Sequence, residues 1–395
     1  MKRFFSYTIL SFFLLLLPTG QASANNNDST RLSLLTCAPG EEIYSLFGHT
    51  AIRYENPSQG IDIVFNYGLF SFNTPNFIFR FSLGETDYQL GATDYERFAA
   101  EYAFFGRSVW QQTLNLTDEE KTELIRLLQE NYRPENRVYR YNFFYDNCAT
   151  RPRDKIEESI AGKVIYPAEP QDGSLTFRDI VHQYCKGHPW ARFGIDLCIG
   201  SEADQPITQR QMMFAPFYLM DAFDGAQIKG DSIQRPLITA NELVVDATPE
   251  PDESDWMPTP LQCSLLLFIL TAAATIYGIR RRTGLWGIDL FLFGIAGIVG
   301  CVLAFLALCS QRPAVSSNFL LLVFHPGQLL FLPYIIYCVR KGKKCWYLTL
   351  NLAVLTLFIV LFPVIPQRFD FAVVPLALCL LIRSASNLIV TSKKK

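Results

Sequence analysis

The C-terminal third of this 395-residue chain consists of five long apolar segments, and no other feature limits the possible folds as strongly. Each segment is close to the ~20 residues that a helix needs to cross a hydrocarbon core of ~30 Å. The segments are residues 261–279, 286–309, 319–339, 345–362 and 371–390. The sequence therefore predicts an all-α bundle of five transmembrane helices over residues 261–395.

Basic residues are concentrated in three short clusters that border these segments. The clusters are residues 280–282, 340–344 and 393–395, after the first, third and fifth segments. Cytoplasmic loops carry the excess of Lys and Arg in membrane proteins, so the C-terminus is predicted to be cytoplasmic and residues 25–260 to face outward. Arg383 falls inside the fifth segment, and we expect its side chain to reach toward the cytoplasmic surface.

The N-terminus has the organisation of a secretory signal peptide. Two basic residues precede a short apolar run, and small residues follow it. Cleavage is predicted after residues 1–24, with an uncleaved anchor helix as the alternative. The result would be a protein of the bacterial inner membrane with a periplasmic domain over residues 25–245. An acidic, Pro-rich linker over residues 246–260 would join this domain to the membrane.

The exported part has the pattern of an α+β fold. Residues 49–54 and 61–67 alternate in polarity on either side of a turn, which predicts a β-hairpin. Thr117 and Glu120 predict a capping box at the start of an amphipathic helix. On folding, a domain of about 220 residues buries roughly 70% of the surface that its unfolded chain exposes. It can therefore form a hydrophobic core without disulfides or a structural metal. The net charge of −2 gives no indication of a nucleic-acid partner.

Four cysteines lie outside the apolar segments: Cys37, Cys148, Cys185 and Cys198. In an oxidising compartment the ordinary interpretation is disulfides. Cys185 and Cys198 are close in sequence and form a possible pair. On a purely structural interpretation, Cys37 and Cys148 would form the other bridge.

Cys148 is also a candidate nucleophile. It follows Asn147 near a predicted helix start, His49 begins a strand, and Asn66 lies in the next strand. A thiol attacks as the thiolate, and a helix N-terminus with a nearby imidazole lowers its pKa. A third polar group orients the imidazole, and an Asn suffices. The pattern predicts a Cys148–His49–Asn66 site for acyl transfer through a thioester, with nearby backbone N–H groups as oxyanion donors.

Plainer interpretations exist for each of these residues. A single His on a strand is more often structural than catalytic, and an exported Cys is more often bridged than free. Pro152 fits a helix that begins at Thr150, with the thiol on the preceding turn. His182 and His188 lie near two cysteines, but their spacing is irregular, and we expect neither a metal nor a cofactor.

These motifs resemble a known superfamily. Residues 49–54 (HTAIRY) and 64–68 (VFNYG), followed by Asn147 and Cys148, resemble the permuted papain-like arrangement of lecithin:retinol acyltransferase-like enzymes and NlpC/P60-type peptidases. The resemblance implies an extracytoplasmic domain in which a strand His precedes the Cys. Asn66 stands where that superfamily often has a second His.

A closer resemblance covers nearly the whole chain. Residues 47–53 (FGHTAIR), 65–68 (FNYG) and 147–151 (NCATR), together with the membrane segments, are similar to the Bacteroides-type lipoprotein N-acyltransferase family. That family is understood to transfer an acyl chain from a phospholipid to the α-amino group of a lipoprotein's N-terminal cysteine. The resemblance implies a thiol-dependent acyltransferase with a phospholipid donor and a lipoprotein acceptor.

Four residues are predicted to bind substrate: Arg151, Arg53, Asn147 and His325. Either arginine would hold a lipid phosphate, although a structural ion pair explains it equally well. His325 lies in the third apolar segment, where an ionisable residue is a functional candidate, although packing around a Pro kink is the plainer explanation.

Two other functions use the same features. A periplasmic cysteine peptidase or amidase acting on cell-wall peptide would keep the triad and change the substrate. A non-enzymatic membrane sensor or scaffold would have Cys37 bridged to Cys148. The aromatic side chains of residues 70–81, with Phe104 and Phe105, suit acyl chains better than cell-wall peptides, although core packing would use the same residues.

Overall fold

The computed structural model describes residues 30–70, 75–167, 175–230, 234–247 and 257–392. The predicted signal peptide, the middle of the linker and the last basic cluster lie outside these ranges. An N-terminal α+β domain is followed by a helical C-terminal region. This order agrees with the predicted division, although the papain-like permutation stays a prediction.

The N-terminal domain is built on strands. The strands are β1 (Arg31–Cys37), β2 (His49–Asn56), β3 (Ile61–Leu69), β4 (Asp87–Asp94), β5 (Val109–Leu114), β6 (Val138–Arg140), β7 (Lys163–Ile165), β8 (Gln227–Lys229), β9 (Gln234–Pro236) and β10 (Ile238–Val245). Seven form an antiparallel sheet in the order β10-β5-β1-β2-β3-β4-β6, and β7-β8-β9 form a small second sheet. The predicted hairpin is confirmed as β2 and β3, which pair antiparallel.

Helices cover both faces of the large sheet. They are α1 (Phe77–Leu83), α2 (Tyr95–Phe104), α3 (Asp118–Tyr132), α4 (Thr150–Ser159), α5 (Phe177–Tyr184), α6 (Pro189–Cys198), α7 (Gln209–Met212) and α8 (Pro216–Asp224). Successive strand residues point to opposite faces, so Leu34 packs with helices α3, α4 and α8, whereas Leu35 packs with α2. Helix α3 starts with the predicted capping box of Thr117 and Glu120.

Three helices of the described C-terminal region are long and apolar enough to cross a membrane: α9 (Pro260–Arg281), α10 (Trp286–Cys309) and α14 (Val373–Ser392). The third predicted span is interrupted and contains α11 (Pro326–Leu330) and α12 (Leu332–Lys341). It breaks at His325, whose extended backbone is the conformation favoured before a proline. Helix α13 (Trp346–Leu361) meets α12 at 111°, and this bent pair would count as a fourth span. The predicted number of five spans therefore stays a prediction.

The Arg383 side chain is directed at the start of α10, close to the first basic cluster, and is neutralised there by an ion pair. Its reach toward the cytoplasmic surface stays a prediction. Its guanidinium donates to both carboxylate oxygens of Asp289 on α10, at 2.7 and 3.0 Å, and to the Thr275 hydroxyl at 3.1 Å. Both charged side chains are at most 3% exposed. A charge inside a membrane protein is tolerated when a counter-charge faces it, so the pair joins α14 to α10.

The N-terminal domain is seated on the outward ends of the helical region. Arg368 donates to Asp179 at 2.5 Å and to Asp204 at 3.0 Å. Arg192 pairs with Asp370 at 3.3 Å on the same side. These ion pairs fix how the sheet, and any site on it, is placed against the membrane region.

Candidate active site

The site begins with an imidazole that is oriented by an amide. His49 is the first residue of β2, and its Nε2 lies 3.1 Å from Oδ1 of Asn66 on β3. Asn66 Nδ2 donates to the Thr93 hydroxyl at 3.2 Å, so the amide oxygen faces the ring. Because that oxygen only accepts, Nε2 carries the proton and Nδ1 keeps the lone pair.

The thiol of Cys148 lies against the same strand end. The backbone N–H of Thr50, the residue that follows His49, is close enough to lower the pKa of this thiol, although burial has the larger effect. Cys148 lies on the turn before α4, which begins at Thr150 and not at Ala149. The Asn147 side chain holds this turn, since its Oδ1 accepts from the N–H groups of Ala149 and Thr150 at 2.8 and 3.0 Å. The fold thus brings the predicted thiol, imidazole and amide together.

A distortion of β3 makes room for the thiol. The pairing of β3 with β4 shifts register between Asn66 and Leu69, and Gly68 there has a φ of +90°. A Cβ at residue 68 would lie 3.4 Å from Cβ of Cys148 and 4.0 Å from the hydroxyl of Tyr139. Bulges of this kind redirect side chains next to active sites. The positive φ favours glycine here, whereas a Cβ would meet its neighbours at ordinary van der Waals distances.

Burial keeps both reacting groups neutral at pH 7. It raises the pKa of the Cys148 thiol to about 11 and lowers the pKa of the His49 imidazole to about 4. We expected the helix start and the imidazole to lower the thiol pKa, but the loss of solvent outweighs both. At pH 7 the His49 imidazole is therefore unprotonated and can accept a proton, whereas the Cys148 thiol carries one.

All four cysteines of the N-terminal domain are free. Cys37 pairs in register with His49, and burial raises the pKa of its thiol to about 12. The disulfide expected between Cys185 and Cys198 is absent. Cys185 follows α5 and Cys198 ends α6, and the two helices are joined by a contact between His182 and Asp196 at 2.9 Å.

The predicted substrate-binding residues are occupied by structural contacts. Arg53 makes a two-point ion pair with Asp62 at 2.8 and 2.7 Å. Arg151 pairs with Asp146 in the same way and lies 3.5 Å above the Tyr139 ring. Neither guanidinium is free to receive a phosphate without losing its carboxylate.

The other two predicted residues lie apart from the reacting groups or serve the turn. The Asn147 amide nitrogen donates to the carbonyl oxygens of Phe143 and Phe214, at 2.7 and 2.8 Å. His325 lies in the membrane region, where its Nε2 is 3.4 Å from Asn351 Oδ1 and 3.5 Å from the Tyr347 hydroxyl.

Two side chains near the site had no signal in the sequence. The Tyr139 hydroxyl is buried and has no hydrogen-bond partner within the described residues. Arg312 follows α10 and lacks a carboxylate partner in the same part of the chain. A single tyrosine on a three-residue strand, or an arginine in a short loop, is common in protein sequences. Only the packing in the structure identifies Tyr139 and Arg312 as candidates.

A thiol, a neutral imidazole and an orienting amide, in a domain mounted on apolar helices, define a membrane protein with a cysteine–histidine site. Two family models match the chain: the Lnb N-terminal periplasmic domain over residues 20–182 and the Lnb transmembrane domain over residues 252–395. The chain belongs to the Lnb-type lipoprotein N-acyltransferase family. It is therefore a membrane protein with a periplasmic N-terminal part and a role in lipoprotein processing. Neither a curated protein nor a solved structure matches it.

Proposed function

We propose that this protein transfers an acyl chain from a phospholipid, through a thioester on Cys148, to the α-amino group of a lipoprotein's N-terminal cysteine. The observation that carries the proposal is the meeting of three groups at one end of β2 and β3: the His49 ring lies 3.1 Å from the Asn66 amide oxygen, and Cys148 packs against Gly68, two residues along β3. Family membership supports the acceptor, and the apolar helices support a donor that lies in the bilayer.

In the first half-reaction, the Cys148 sulfur attacks the ester carbonyl of the phospholipid. The thiol proton moves to Nδ1 of His49, the nitrogen that Asn66 leaves unprotonated. The carbonyl oxygen becomes an oxyanion, and the tetrahedral intermediate collapses by breaking its C–O bond. The proton on His49 goes to the departing oxygen, which leaves as a lysophospholipid.

The Tyr139 hydroxyl is the proposed donor to the oxyanion. It is one of the buried hydroxyls without a hydrogen-bond partner among the described residues, and it lies beside Gly68, against which Cys148 packs. A donor already aimed at the site needs no reorganisation when the negative charge develops. The Thr50 N–H, which is close enough to Cys148 to lower the pKa of its thiol, is the proposed second donor.

In the second half-reaction, the α-amino group of the lipoprotein attacks the thioester. The amine gives a proton to His49, the C–S bond breaks, and the proton passes to sulfur. The products are an N-acylated lipoprotein and the resting thiol. The orientation that suits this chemistry has the domain in the periplasm, the C-terminus in the cytoplasm and the bundle in the inner membrane, as the basic clusters predict.

Two mass measurements test the proposal. Purified full-length protein incubated with a phospholipid should gain one acyl mass on Cys148, and a diacylated lipopeptide should remove it. In cells that lack the protein, lipoprotein N-termini should lose one acyl chain. If those N-termini are unchanged and Cys148 gains no acyl mass, the proposal fails and a peptidase or amidase becomes the better assignment.

A further inference from the structure

Arg312 is a partly buried cation at the junction of the two regions, and its charge is not neutralised by a carboxylate among the described residues. It follows α10, and its Nη2 donates to the Thr86 hydroxyl at 3.2 Å. Its guanidinium lies 4.2 Å from the centre of the Phe81 ring. Its Nε is buried without a hydrogen-bond partner in the described part of the chain. Leaving such a donor unpaired is costly, so a site with this geometry suits an anionic ligand.

Arg312 and Cys148 are connected through the pairing of β4 with β6. Thr86, whose hydroxyl accepts the hydrogen bond from Arg312, also accepts one through its backbone carbonyl from the Tyr141 N–H, at 3.2 Å. Two residues further along, Tyr88 pairs in register with Tyr139, the neighbour of the thiol. Two residues of a strand cover about 7 Å, so the residue that Arg312 contacts and the residue that pairs with Tyr139 are close together along one strand.

The space between them is bordered by aromatic rings. Tyr88 and Tyr141 stack with centroids 4.0 Å apart, and Phe70 lies 5.0 Å from Tyr88. Arg312 lowers the pKa of both tyrosines and the Cys148 sulfur raises it, although burial is the largest influence on each. The cation and the thiol therefore lie close to the same pair of rings.

Helix α1 places this space at the membrane surface. Ile78 and Phe79 are 80% and 57% exposed, and the Phe79 ring is 5.7 Å from Phe305 on α10. Large apolar side chains that project beside a membrane-spanning helix are suited to contact acyl chains. A lipid entering here would have apolar contacts at one end and the guanidinium at the level of its headgroup.

We propose that Arg312 binds the phosphate of the donor phospholipid and holds its ester next to Cys148. The planar fork of an arginine matches two phosphate oxygens, and Nε, the unpaired donor, forms one side of that fork. This inference rests on the proposed acyl transfer, since it assigns the headgroup contact of that same donor. The acceptor's diacylglyceryl group carries no phosphate, so the site distinguishes donor from acceptor.

The test compares two donors with identical acyl chains, a phosphatidylethanolamine and the corresponding diacylglycerol, in neutral detergent micelles. The rate of acyl-enzyme formation on Cys148 of full-length protein is followed by intact mass. Wild-type protein should prefer the phospholipid by ~10-fold or more, as expected for hydrogen bonds to a charged group. Arg312→Gln should remove this preference by slowing the phospholipid reaction alone, and Arg312→Lys should keep part of it.

Two control variants separate phosphate binding from support of the interface. Gln311→Ala removes the neighbouring contact to Glu85 from the same loop. Arg80→Gln removes a surface ion pair to Asp87, which Arg140 still holds. Both should keep the wild-type donor preference. Excess inorganic phosphate should also leave it intact, because the acyl chains supply most of the binding.

Several outcomes would overturn the assignment. If Arg312→Gln slows acylation from both donors equally, the residue has a structural role. If this variant keeps the full preference for the phospholipid, Arg312 does not bind the phosphate. Wild-type protein without a preference refutes it with no variant needed, and loss of the preference in inorganic phosphate indicates a free-anion site. If wild-type Cys148 is acylated by neither donor, the proposed function itself has failed. That result is distinct from acylation without headgroup preference.

Discussion

The two regions treat buried polar groups in opposite ways. In the membrane region, Asp289 and Arg383 form an ion pair, and both side chains are almost completely buried from solvent. In the sheet, Cys148 and His49 are kept neutral by burial, and the Tyr139 hydroxyl lacks a partner within the described residues. The pair fastens two helices together, whereas the Tyr139 hydroxyl keeps a hydrogen bond to give, and we propose that the oxyanion receives it.

The largest expected effect comes from removing the base. His49→Ala should lower the rate of Cys148 acylation by ~10³-fold or more, because no other group beside the thiol accepts its proton. Single-turnover mass spectrometry measures this rate. Cys37→Ser, which changes the buried thiol opposite His49 in the strand pairing, is the matched control and should retain activity. A His49→Ala rate near that of wild type would remove the imidazole from the mechanism.

Breaking the buried ion pair should affect stability and leave the chemistry intact. Asp289→Ala should destabilise the protein by about 3–5 kcal/mol, since it leaves Arg383 charged and unpaired. Thermal unfolding in detergent checks this. The double variant Asp289→Leu with Arg383→Met should recover most of the loss. If Asp289→Ala unfolds at the wild-type temperature, the pair does not fasten the helices.

The unpartnered hydroxyl should show the reverse pattern. Tyr139→Phe is expected to slow acylation by ~10²- to 10³-fold, the effect of losing one oxyanion donor. Stability should be unchanged or slightly higher, because the variant removes a buried hydroxyl that makes no hydrogen bond in the described structure. Tyr141→Phe, at the neighbouring ring, is the control. A normal rate in Tyr139→Phe would leave the oxyanion to the backbone alone.

The smallest expected effect is a shift of the pH profile. In wild-type protein the acid limb of acylation should follow the His49 pKa of about 4, with activity lost as the pH falls through that value. Asn66→Asp gives the ring a carboxylate partner and raises this pKa, so the loss should begin at a higher pH. Asn66→Ala removes the partner and should cost only ~10-fold in rate. An unshifted limb in Asn66→Asp would indicate that His49 does not titrate in the acid limb.

The sequence was sufficient for the parts of the site that follow local rules. Alternation of polarity predicted the hairpin of β2 and β3, and its register brings Ala51 opposite Asn66 and thus His49 within reach of the amide. A Cys after an Asn predicted the turn before α4. Period and spacing determine such features, so they can be read without a structure.

The parts that the sequence did not predict depend on burial and long-range contacts. No local pattern indicates that desolvation outweighs the helix start at Cys148, or that Arg383 finds Asp289 94 residues away. The break at His325 was visible as a proline, but its consequence for a span depends on the neighbouring helices. Arg312 and Tyr139 emerge only when β4, β6 and α10 are assembled.

The pairing of β1 with β2 has a consequence for how such proteins diverge. Seven consecutive residue pairs, from Arg31 with Glu55 to Cys37 with His49, determine where the imidazole lies. A single-residue insertion inside either strand would turn His49 to the opposite face of the sheet. Length variation among descendants of this gene should therefore accumulate in turns such as residues 57–60, while the number of residues in these two strands stays constant.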